Sequence, residues 1–119
     1  MTAAFRAEIE DHSPDVRVVV VVGELDQATV PALQERLDEV IDSGSTSLVV
    51  DLSDCEFIDS SGLAALVGAR ERLTAGDSRH FALCCPDAQV RRLLEITGLA
   101  EAMGLASSRD EAVEALHVA

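Results

Sequence analysis

The sequence predicts a single α/β domain built on a largely parallel sheet, and three observations predict it. First, 119 residues are room for one compact hydrophobic core and no more. Second, the short apolar runs Val18–Val22 and Leu48–Leu52 are rich in β-branched residues and read as strands covered on both faces. Third, after an N-terminal hairpin each strand is followed by apolar residues at helical spacing. Such alternation demands right-handed crossovers between parallel strands. No repeat, linker or low-complexity tract interrupts the pattern, so the domain is read as 1–119, with its core from about residue 5 to 116.

The elements follow in order. Phe5, Ala7 and Ile9 alternate with Arg6, Glu8 and Glu10, the period-2 pattern of a half-solvated edge strand. Asp11-His12-Ser13-Pro14-Asp15 has the composition of a turn, and the valine run completes a hairpin. Gly23-Glu24-Leu25-Asp26 breaks that second strand. A helix opens near Thr29-Val30-Pro31, where proline is tolerated in the first turn, and Leu33, Leu37, Val40 and Ile41 form its apolar stripe. Ser43-Gly44-Ser45 ends it. Leu48–Leu52 is the next strand, followed by a loop from Ser53 to Asp59. Leu63, Leu66, Val67 and Leu73 mark one face of a second helix, closed by Ala75-Gly76-Asp77-Ser78. His80–Cys84 is a further strand. It leads through Pro86-Asp87 to a helix with Val90, Leu93, Leu94 and Thr97 inward and Gly98 as its stop. Met103–Ala106 reads as a last short strand, and Asp110–His117 as a closing helix with Val113 and Leu116 inward.

Composition removes whole classes of function. Nine basic residues, all Arg, against twenty-two acidic ones leave a formal net charge of −13. Nucleic acid is excluded as a partner, because binding it needs cations that displace counterions from phosphate. The absence of Lys removes P-loop NTPases, Schiff-base enzymes and receiver-type switches. Trp and Tyr are absent and Phe numbers three, so the large aromatic anchors of tight interfaces are scarce. The five-residue valine run is far short of the roughly twenty apolar residues that cross a bilayer, and Met1–Arg6 lacks the layout of a signal peptide. Cys55, Cys84 and Cys85 are too few and too badly spaced for a disulfide framework or a zinc site. Free thiols without an export pattern point to a reducing cytoplasm. Cys84 is expected to pack in the core at a strand end, with adjacent Cys85 pointing the other way. No cofactor is implied.

In open α/β sheets, sites gather where strand carboxyl ends meet helix amino ends. Two segments occupy that edge: Gly23-Glu24-Leu25-Asp26 and Phe57-Ile58-Asp59-Ser60-Ser61-Gly62-Leu63. Asp59 or Ser60 is suited to capping the second helix. Ser61 then falls in the first turn, within the positive end of the helix dipole, and Gly62 leaves no side chain to obstruct an approaching surface. Phosphorylation of such a serine adds about −1.5 to −2 charges and three acceptor oxygens where the helix end tolerates them. A partner docked there is repelled while the fold survives. The same four residues, Asp-Ser-Ser-Gly, also make an ordinary helix cap.

Asp51-Leu52-Ser53 followed by Phe57-Ile58-Asp59-Ser60-Ser61-Gly62-Leu63 resembles the signature of anti-sigma factor antagonists, bacterial members of the STAS domain family. Gly23-Glu24-Leu25-Asp26 resembles their upstream motif, and Val90–Leu99 their third-helix segment, in the family's order from about Phe5 to Leu116. The resemblance implies a four- or five-stranded mixed sheet with helices packed mainly on one face. It also implies a partner-switching cycle. The unphosphorylated protein binds an anti-sigma factor, usually a serine kinase with an ATP-lid fold, and so frees a sigma factor. The kinase phosphorylates the antagonist and drives it off, and a serine phosphatase restores it. In the family motif the modified residue immediately precedes the glycine, which is Ser61 here. Asp26 matches an acidic position at the partner surface, and Asp59, Ser60, Gly62 and Leu63 complete the docking loop. ATP and Mg²⁺ belong to the kinase.

Two other readings compete. Ser61 paired with His12, His80 or His117 would make a hydrolase, although Asp-Ser-Ser-Gly-Leu is not the Gly-x-Ser-x-Gly elbow. A STAS scaffold or nucleotide-binding module within a larger assembly is the other; a monomer or weak dimer is what the switch reading expects.

Overall fold

The computed structural model describes residues 4–44, 46–76, 78–84 and 87–118. Its elements are β1 (Arg6–Ser13), β2 (Val16–Leu25), α1 (Val30–Asp42), β3 (Ser47–Ile58) and α2 (Ser60–Leu73). They continue with β4 (Phe81–Cys84), α3 (Ala88–Ile96), α4 (Leu99–Ala102), β5 (Leu105–Ala106) and α5 (Arg109–Val118). The strands lie in sequence order, β1-β2-β3-β4-β5, with β1 antiparallel to β2 and the others parallel. Every parallel crossover steps the same way across the sheet, so right-handed connections put α1, α2 and α3 on one face. The last helix, α5, returns across the other.

The valine run shows how sequence becomes two cores. Successive strand side chains point to opposite faces. Val19 and Val21 enter the large front core with Leu33, Leu37, Val40, Leu66, Leu73, Val90 and Leu94, whereas Val16 and Val18 enter a smaller back core with Val49, Ala82, Cys84, Ala112 and Leu116. The stripe read on α1 is the one that is buried. On α2 the buried positions are Gly62, Leu66, Ala69 and Leu73, with Leu63 and Val67 half-buried at the margin.

Several readings need correction. The stretch Ser53–Ile58 is strand, not loop, and β2 runs through Gly23 to Leu25. Val16 pairs with Ser47 and Leu25 with Ile58, so β3 carries two more residues than β2 over the same span, taken up at two register shifts. Those bulges break the period-2 pattern and made the segment look irregular. Gly23 has φ 97°, a conformation that favours glycine, beside the second shift. Thr97 does not face the core; it is the C-cap of α3, and its hydroxyl donates to the carbonyls of Leu93 and Leu94. Gly98, at φ 78°, stops the helix as expected. The single turn α4 is too short to leave a periodic signal. Ser45, Asp77, Cys85 and Pro86, used above at helix ends and a strand–helix connection, lie outside the described residues.

The back face is closed by a polar knot. Asp51 is the one buried charged residue among those described. One of its oxygens accepts from the Ser53 amide at 2.9 Å and the Ser53 hydroxyl. The other accepts from Nε (3.1 Å) and an Nη (2.9 Å) of Arg109, whose remaining Nη donates to Glu10 at 2.9 Å. Burial pushes the Asp51 carboxyl up, but the bonds from Ser53, Arg109 and the Cys84 thiol outweigh it and hold it below the ordinary carboxylate range.

Cys84, fully buried beside Asp51, is pushed up to about 12, first by burial and then by the Asp51 charge. Thiolate is the reactive form. Iodoacetamide at mildly alkaline pH is therefore expected to spare Cys84 in the native protein and modify it in urea, read by peptide mass spectrometry. Rapid native labelling would contradict this placement.

Candidate functional site

The carboxyl ends of β2 and β3 stop side by side, with Leu25 opposite Ile58, and the Asp59 amide donates to the Leu25 carbonyl at 3.1 Å. This join brings together two loops that lie more than thirty residues apart. Asp26 and Asp59 line one shallow open depression of about 430 Å³ with Gln27 and Ala28.

Asp26 shapes the first loop. Its Oδ1 accepts from the Ala28 amide (3.0 Å), the Thr29 amide (3.1 Å) and the Thr29 hydroxyl (3.2 Å), while its own amide donates to the Thr29 hydroxyl oxygen at 2.9 Å. An aspartate holding its own turn this way fixes the entry to α1. Asp26 stays partly exposed, so its charge remains at the surface.

Asp59 caps α2. Its backbone is extended, and its Oδ1 accepts from the Gly62 amide at 3.0 Å. Of the two cap candidates it is the aspartate that serves; Ser60 is the exposed first residue of the helix. The amides of Ser60 and Ser61 are left at the open helix tip, where the helix supplies no carbonyl for them. Ser61 is partly exposed in the first turn, and neither serine hydroxyl has a hydrogen-bond partner among the described residues.

Gly62 requires a correction. It does not clear the way for a visitor: it is buried, facing inward. A Cβ there would lie 2.8 Å from Leu25 Cγ, 3.0 Å from Leu25 Cδ2 and 3.1 Å from Ile58 Cγ2. Glycine lets the helix tip settle directly onto the strand ends, which sets the height of Ser61. Leu63 is half-buried against the front core. Asp59, Ser60 and Ser61 thus form the surface of the loop, with Asp26 alongside.

The structure does not bring His12 or His80 to the serines. His12 belongs to β1 beside the hairpin turn, and the carbonyl of His80 bonds Leu48 near the start of β3. Both sit at the opposite end of the sheet, about 30 Å along β2 from the serines. The side chain of His117 lies outside the described residues.

A hairpin-led parallel sheet, with α1, α2 and α3 on one face, α5 on the other and an Asp-capped Ser-Ser-Gly tip beside its central strands, has the architecture of the STAS class. The STAS domain family model matches residues 9–112, and the chain belongs to that family. Among individual relatives, it is 34% identical over 105 residues to the anti-sigma-F factor antagonist RsfB of Mycobacterium tuberculosis, covering 88% of this chain and 84% of RsfB. It is 39% identical over 85 residues to the anti-sigma-B factor antagonist of Staphylococcus aureus, covering 71% of this chain and 78% of that protein. Its fold superposes on a crystal structure of an anti-sigma factor antagonist from Mycobacterium paratuberculosis with a TM-score of 0.87, 34% identity and coverage of 96% and 95% of the two chains.

Two further residues carry weight that sequence reasoning missed. Arg109 holds Asp51 across 58 positions, beyond any local pattern. Phe57, read above as part of a loop, is a strand residue 47% exposed.

Proposed function

We propose that this protein is an anti-sigma factor antagonist switched by phosphorylation of Ser61. Unmodified, it docks an anti-sigma serine kinase through Asp26, Asp59, Ser60 and Ser61 and so releases a sigma factor in the cytoplasm; a serine phosphatase reverses the modification. The observation that carries this reading is the position of one hydroxyl: Ser61 is partly exposed, unbonded among the described residues, and seated in the first turn of α2. A phosphate there meets amides and a favourable dipole, so the helix tolerates it. A docked kinase meets a dianion beside the carboxylates of Asp26 and Asp59 and is repelled. The fixed chemistry of the domain is therefore recognition; ATP and Mg²⁺ are supplied by the partner. No described helix is long and apolar enough to cross a membrane.

Calorimetric titration with the anti-sigma kinases of its own bacterium tests the reading. The unmodified protein and Ser61→Ala should bind one of them alike, the phosphorylated protein should bind at least a hundredfold more weakly, and Ser61→Asp should fall between. Peptide mass spectrometry should place the phosphate on Ser61. Equal affinity before and after phosphorylation, or modification confined to Ser60, refutes this assignment.

A further inference from the structure

Only two large apolar side chains among the described residues are substantially exposed, and Phe57 is one of them. Its neighbours in β3, Cys55 and Ile58, are buried in the front core, and α2 covers that side. Phe57 instead stands opposite Glu24 on β2, at the far end of the sheet from α5. The back core that α5 closes is built on Val16, Val18, Val49, Ala82 and Cys84, with Val20 only partly covered. Among the described residues, those that α5 closes over do not reach as far as Phe57, and no core cluster takes up its aromatic ring.

The charge around it has one sign. Glu24, Asp26, Asp54, Glu56 and Asp59 all lie within three residues of Phe57 or of its cross-strand partner Glu24, and no Arg does. None of these five carboxylates forms an ion pair among the described residues, whereas Glu8, Asp11, Glu39, Asp38 and Glu10 are paired by Arg6, Arg17, Arg36, Arg72 and Arg109. Nor do any three of them converge as a metal-binding group among the described residues. They form a rim around an apolar centre, not a cage.

We propose that the docking surface turns over the end of the sheet onto its back face, with Phe57 as its apolar anchor. Its occupant is a protein surface that offers an apolar hollow rimmed by Arg and Lys. This rests on the reading of the Ser61 loop as the docking site and supplies the partner's chemistry. The aromatic ring, desolvated in the hollow, sets how long the complex lasts; the carboxylates, left near solvent, set how fast it forms. Low aromatic content argued against such anchors, but one well-placed Phe suffices.

The test measures association and dissociation rates with the purified anti-sigma kinases of its own bacterium, at low and high salt, on the full chain. Phe57→Ala is expected to speed dissociation at least tenfold, Phe57→Leu to recover most of the loss, and Ile96→Ala, the other exposed apolar side chain, to change nothing. Glu24→Gln with Glu56→Gln is expected to slow association severalfold at low salt and to flatten its salt dependence. Melting temperatures of the Glu24→Gln with Glu56→Gln and Ile96→Ala variants should move little, and Phe57→Leu controls for the covered half of the Phe57 ring. If the parent protein binds and Phe57→Ala binds with the same rates, or the loss appears at Ile96 instead, the anchor falls and the Ser61 site stands. If neither the parent nor Ser61→Ala binds any of the kinases, the docking-site reading falls and takes this proposal with it.

Discussion

Replacing Arg109 with alanine is expected to destabilise the protein by about 2–3 kcal/mol, measured by urea unfolding near neutral pH. Removing one member of a fully buried ion pair costs about 3–5 kcal/mol, because a charge is left in the interior without its counterion. Asp51 is 9% exposed and Arg109 33%, so part of that penalty is relieved by water. The Ser53 bonds to the other carboxylate oxygen survive. Asp51→Asn should cost less, since it leaves Arg109 near the surface and still paired with Glu10. Acid supplies an independent check. The folded Asp51 carboxyl lies below its unfolded value, so its contribution is complete above the ordinary carboxylate range, near pH 4, and fades as pH falls through the folded value. Without Arg109, burial acts on the carboxyl with less opposition, and protonation relieves the buried charge. The gap between parent and Arg109→Ala should therefore shrink on acidification. A gap below about 0.5 kcal/mol at neutral pH, the scale of an ordinary surface substitution, would remove the knot from any account of stability.

Two glycines of α2 should respond to alanine with opposite signs. At Gly62 the new methyl meets Leu25 Cγ at 2.8 Å, a branch carbon with no freedom to swing aside, because Leu25 is 0% and Ile58 3% exposed. Overpacking of this kind costs about 1–3 kcal/mol, and the gain in helix propensity, at most about 1 kcal/mol, is smaller near a helix end. A net loss of about 1–2 kcal/mol is expected, with the helix tip levered away from the strand ends and Ser61 displaced. At Gly68 a Cβ meets nothing within 4 Å, so propensity acts alone and Gly68→Ala should stabilise by up to about 1 kcal/mol. Thermal melting of the two variants beside the parent reads both signs. Equal shifts would mean that α2 does not sit on Leu25 as described.

What was legible in the sequence follows from the range of the cause. The stripe Leu33, Leu37, Val40, Ile41 is local periodicity, and it is the buried face of α1. The hairpin, its edge strand and the parallel order were likewise written in alternation and chain order. The Asp59–Gly62 bond is a three-residue relation, so capping was readable, though not which of two adjacent residues serves. The end of β3 was not readable, because bulges cancel the alternation that identifies a strand. The role of Gly62 depends on Leu25, 37 positions earlier, and that of Asp51 on Arg109; pairings of that reach leave no trace in neighbouring residues. Sequence therefore located the serine loop and missed what seats it.

The Arg109 knot also sets an order of events during synthesis. Its guanidinium joins Asp51 across 58 residues and Glu10 across 99. While a ribosome has yet to release residues 109–118, the nascent sheet presents Val16, Val18, Val49 and Ala82 to water and carries an aspartate without its counterion. Chaperones and proteases act on such exposure. α5 is thus the cover without which the back of the sheet stays open to water.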